Sequence, residues 1–128
     1  MKKQAQQNLL SFIKELNSNI ALQEKVTNEL VNIKYISIHD TISNIKSYID
    51  SIKYLVFNRI IALTNQHQIN IKEFNEINDC LNHQFKVVDE FIDNNLPELY
   101  DRNTTTFMEI YFYIESGLSE IYRTIKDL

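Results

Sequence analysis

Asp79, Cys80 and His83 come nearest, in type and spacing, to a metal site, because side chains three or four apart on a helix can share an ion. On a helical wheel, Glu76, Asp79, His83 and Glu90 fall together on the side away from the apolar stripe. A metal held inside a bundle draws on inward-facing carboxylates and Glu-x-x-His pairs, and the chain contains no such pair. The expectation is a solvated helix face with no metal and no cofactor. His39-Asp40 spells the start of a phosphohydrolase metal set, but His39, His67 and His83 are the only histidines and cannot complete it. An acid in the first turn of a helix accounts for Asp40. There is no nucleophile elbow, no phosphate-cradling glycine loop and no Cys-x-x-Cys, so no catalytic residue and no enzyme are expected.

Charge is the stronger signal. Residues 73–101, EFNEINDCLNHQFKVVDEFIDNNLPELYD, hold eight carboxylates and one basic residue, Lys86. The first 72 residues carry a net +4 and the remainder a net −8, giving −4 overall. Asp89, Glu90, Asp93, Glu98 and Asp101 follow one another with no basic residue between them. Acids at the end of a helix oppose its dipole, and close like charges cost a few tenths of a kcal/mol per pair. A surface that meets a basic partner carries such a run despite that cost. The expected partner-binding residues are therefore Asp89, Glu90, Asp93, Glu98 and Asp101, with Tyr100 as an aromatic anchor. Nucleic acid is not expected, because phosphate contacts need clustered Lys and Arg.

The elements that would position these residues are legible from apolar spacing. Ile38, Ile42, Ile45, Ile49, Ile52, Val56, Ile60 and Leu63 recur every three or four residues, which predicts a helix over 38–63 with Ser37 as its cap. Phe74, Ile77, Leu81, Phe85, Val88 and Ile92 predict another over 71–95, opened by an Asn70/Glu73 capping box and ended before Pro97. Phe107, Tyr111, Ile114, Leu118, Ile121, Ile125 and Leu128 predict a last helix over 106–128, begun by Thr106 and Glu109. In the first 34 residues, Leu9, Phe12, Ile13 and Leu16 form one stripe, and Leu22, Val26, Leu30 and Ile33 a second, out of register across Asn17–Asn19. The fold class expected is all-α: an up-and-down four-helix bundle, its first helix either kinked or split. Gly117, the one glycine, lies within the last helix and would let a neighbour approach; short helix connections are not expected to need glycine. Tyr54, Phe57 and Ile61, and likewise Met108, Phe112 and Tyr113, lie off their helices' core stripes. Either helix 38–63 is central and buried all round, or these faces meet another chain.

Composition bounds the rest. A chain of 128 residues is expected to form one domain, 1–128, with a core of its own. One cysteine excludes an internal disulfide. The apolar run at Leu9–Ile13 is too short for a signal peptide, and no stretch approaches the ~20 residues that span a bilayer, so a cytoplasmic protein without membrane contact is expected.

Two family resemblances bear on this reading. SFIKELNSNIALQEKV (11–26) resembles the opening of Nif11-type leader domains, which implies a helix–turn–helix there. DRNTTTFMEIYFYIESGLSEIYRTI (101–125) resembles the last helix of HEPN-type RNases, whose motif places a histidine four to six residues after an arginine and a polar residue. Arg102 and Asn103 match that motif, but Phe107 occupies the histidine position, which implies at most a degenerate nuclease. The function expected from the residues is a small acidic helical binding protein for a basic, toxin-like protein partner. The alternative is a self-associating bundle, a homodimer with a structural or regulatory role.

Overall fold

Isoleucine and tyrosine favour strands intrinsically, yet the three-to-four-residue period prevails. The computed structural model, which describes residues 1–128, contains helices and no strand. In chain order these are α1 (Lys3–Ser18), α2 (Ile20–Val31), α3 (Ile38–Asn65), α4 (Ile71–Asn94), α5 (Leu96–Tyr100) and α6 (Thr104–Lys126). The expected four helices thus become five long ones and a short one. The first is split at Asn19, within the stretch whose resemblance implied a break. Pro97, expected only to stop α4, sits in the first turn of α5, where its missing N–H leaves no bond unmade.

Caps set the starts. The Ser37 hydroxyl accepts the Asp40 N–H at 3.3 Å, and both arms of the Asn70/Glu73 capping box are made, at 2.8 and 3.0 Å. The last helix begins two residues earlier than expected. Its cap is Asn103, whose side-chain oxygen accepts the Thr106 N–H at 3.1 Å, so Thr106 is interior and buried. Asparagine caps better than threonine, which explains the shift.

All six helices feed one contiguous apolar core, from Leu9 and Ile13 in α1 through Phe85 in α4 to Phe107, Ile114 and Leu118 in α6. The hub is α6, which packs against α4, α1 and α2, while α3 packs chiefly on α4 and also meets α1, α2 and α5. Helix α3 is therefore not the central element: Tyr54 is 67% and Leu55 50% exposed. The stripe expected in the second N-terminal segment is turned partly outward, with Leu30 and Ile33 half-buried. Ile20, Thr27 and Val31 are buried, whereas Leu22 and Val26 face solvent. This rotation brings the Thr27 hydroxyl into hydrogen bonding with the buried Tyr111 hydroxyl, which needs a partner once it leaves water.

Gly117 sits where α6 crosses α4. A Cβ built there would lie 3.2 Å from Gln84 Cβ, closer than side chains ordinarily approach. As expected, the connections do without glycine, although two of them use the left-handed region: His67 at φ 59° and Arg102 at φ 60°. Each ends a helix with the paired bonds of a Schellman motif. After α3, His67 N–H donates to the Thr64 carbonyl and Gln68 N–H to that of Leu63; after α5, Arg102 and Asn103 repeat the pattern on Leu99 and Glu98. No helix is long and apolar enough to cross a membrane.

Candidate interaction surface

The second half of α4 turns its polar side outward because Phe85, Val88 and Ile92 are fixed in the core. Asp89, Glu90 and Asp93 are consequently exposed, as are Glu98, Tyr100 and Asp101 around α5, where Leu99 alone is buried. The fold adds counter-charge that chain order conceals. Lys46 Nζ of α3 lies 3.2 Å from Asp93 Oδ1, and Lys86 lies 3.9 Å from Glu90 one turn away. Asp89 sits between Asp50 and Asp93, with Lys53 and Lys46 also close. Its carboxyl is held above the usual aspartate range, first by partial burial and then by the two neighbouring acids, with the lysines partly offsetting them. Tyr100 is half committed within the chain: its hydroxyl meets His39 Nδ1 at 2.9 Å and its ring stacks on the imidazole. Glu98 and Asp101 have no ion-pair partner. The six expected residues are thus all at the surface, divided between an α3–α4 seam threaded by lysines and an uncompensated turn at α5.

Beside that seam, α3 and α4 frame a groove of about 450 Å³ with Phe57 and Leu81 in its wall and Tyr54 at its rim. Phe57 is half-buried against the Phe74 ring, so of the off-stripe aromatics in α3 only Tyr54 stands free.

The residues with possible chemistry are placed apart. Asp79 and His83 point to solvent, while Cys80 turns inward and its sulfur accepts the Thr124 hydroxyl at 3.4 Å. No group of three or more His, Cys, Asp and Glu side chains converges as a metal would require. Arg102 is engaged by the fold. Its guanidinium donates to the carbonyls of Val31 at 3.0 Å, Ile33 at 3.1 Å and Lys34 at 3.4 Å, and also to that of Ile36. It thereby closes the end of α2 and holds the connection to α3. Phe107, at the position a nuclease histidine would occupy, is wholly buried.

A second surface combines residues the sequence presents separately. Met108 and Phe112, one turn apart on α6, are 43% and 63% exposed. They lie in a groove of about 530 Å³ between α6 and α2, completed by Thr105, Glu24, Glu109 and Glu115. The two apolar residues are visible in the sequence as off-stripe positions. The complete carboxylate rim is not, because Glu24 joins Glu109 and Glu115 from α2. No protein family, no curated protein and no solved structure matches this chain.

Proposed function

We propose that this chain is a small acidic binding protein, with no catalytic role of its own, that recognises a basic protein surface in the cytoplasm. The observation that carries the reading is that Asp89, Glu90, Asp93, Glu98 and Asp101 are all exposed, while only Asp93 and Glu90 have a lysine partner. Exposed pairs of that kind are worth at most about 1 kcal/mol and exchange readily for a better partner. A nuclease-type toxin, whose active site must attract phosphate, presents the complementary surface, and an inhibitor or immunity protein is the kind of molecule that meets it. In that mechanism Asp89, Glu90, Asp93 and Asp101 steer and pair, and Tyr100 anchors. Replacing Asp89, Glu90 and Asp93 together by alanine tests this with the basic protein retained from a host lysate on the immobilised chain. Weakened binding and a flatter salt dependence are expected; unchanged retention removes the assignment.

The self-associating bundle remains the second reading, supported by exposed Tyr54 and Leu55 on α3. Mass in solution over a range of concentrations separates the two, since a dimer needs no foreign partner.

A further inference from the structure

We infer that the α2–α6 groove is a docking site for a basic amphipathic helix, on helices other than those of the α4–α5 surface and independent of it. Glu24, Glu109 and Glu115 surround Met108 and Phe112, and no lysine or arginine lines the groove. The four ion pairs of the chain involve none of these three glutamates. Exposed carboxylates ordinarily find water sufficient, but a methionine and a phenylalanine side by side in water do not gain from their exposure.

The shape points to a helix as occupant. Thr105 to Glu115 rise about 15 Å along α6, the length of some ten helical residues lying in the valley between α6 and α2. Met108 and Phe112, at i and i+4, match the spacing of an apolar stripe on such a segment, and methionine adapts its shape to varied side chains. Phe112 is flanked on one side: its ring meets Tyr113 edge-on at 5.9 Å, and Tyr113 packs on Phe91 of α4 at 4.8 Å. A supported aromatic loses little freedom on being covered.

Charge selects the partner. A second copy placed on the same face by a two-fold axis would bring three glutamates against three glutamates, in a chain already at −4. A segment with Lys or Arg flanking an apolar stripe meets the same rim with opposite sign. The buried Tyr111 hydroxyl is held above its usual range first by burial, against the Thr27 hydrogen bond, and then by Tyr48 and last by Glu24, so the rim borders on the core.

The probe is a fluorescent synthetic peptide of leucine and lysine, with leucine at i, i+3, i+4 and i+7. A peptide of the same composition with the order scrambled serves as control. Expected are saturable binding of the patterned peptide only, and amide shift changes in the full chain centred on residues 105–115. Affinity should fall about tenfold or more with Phe112→Ser. Glu109→Gln with Glu115→Gln should shallow the salt slope. Both changes are at exposed positions, and circular dichroism checks that each variant folds. Equal binding of the scrambled peptide, shift changes centred on α3 and α4, or unaltered affinity of Phe112→Ser would each overturn the inference. So would a wild-type dimer that Phe112→Ser dissolves, because the groove would then be a self-interface. The Asp89/Glu90/Asp93 alanine variant is expected to bind the peptide as wild type does. Loss of peptide binding in that variant would show that the probe reads the α4–α5 surface, overturning the groove but not the proposed function.

Discussion

Arg102 is the side chain whose meaning changes most between sequence and structure. In one dimension it stands beside Asn103 in a nuclease-like spelling; folded, its guanidinium serves backbone carbonyls some seventy residues earlier. Nothing local signals this, because carbonyls are the same at every position and only the fold selects four of them. Arg102→Ala leaves those carbonyls without their charged donor. It is expected to destabilise the chain by about 2–3 kcal/mol, read from urea unfolding midpoints. Arg102→Lys should recover only part of that, since an ammonium cannot reproduce a planar fork of donors. An arginine held for catalysis would instead leave the midpoint where it was. Asp89 gives a complementary case. Its carboxyl is held above its ordinary range, so the folded state favours the proton. Its contribution to stability is complete below the unfolded-state value and is lost as pH rises through the folded-state value. Asp89→Asn should therefore raise the melting temperature at pH 7 and leave it close to wild type near pH 3.5. A variant less stable at pH 7 would show that Asp89 is well paired rather than crowded.

At the scale of elements, periodicity and caps were sufficient for α3 and α4, whose starts agree with the Ser37 and Asn70 signals. They failed where tertiary contacts choose between local options. In α2 the buried face contains Thr27, whose hydroxyl partners that of the buried Tyr111, while Leu22 and Val26 of the expected stripe are exposed. The short helix α5 was hidden by reading Pro97 as a stop, although proline suits a first turn as well as it suits an end. For the same reason the acidic run looked barer than it is: Lys46 lies 47 residues from Asp93 in the chain. Gly117, in contrast, was legible as a point of close approach. The α4–α6 crossing at Gly117 makes a firm prediction. Gly117→Val places a branched side chain against Gln84 Cβ and should cost about 2 kcal/mol by thermal denaturation. Gain of stability would mean that α4 and α6 separate there without loss of packing.

For the whole molecule, one core shared by all six helices implies that they melt together. The chain has seven tyrosines and no tryptophan, so far-ultraviolet dichroism reports helix and tyrosine fluorescence reports packing. The two transitions should coincide, and an early fluorescence change with helix retained would divide the chain into separate units. Because the hub is α6, the other helices are translated before the surface they share. Leu9, Ile13 and Val31 have left the ribosome as apolar faces while the 23 residues of α6 are still being decoded. At elongation rates of ~5–20 residues per second that interval lasts about one to five seconds. Until α6 arrives the apolar faces of the earlier helices lack their main cover, and the pace of decoding over 104–126 sets how long they stay bare.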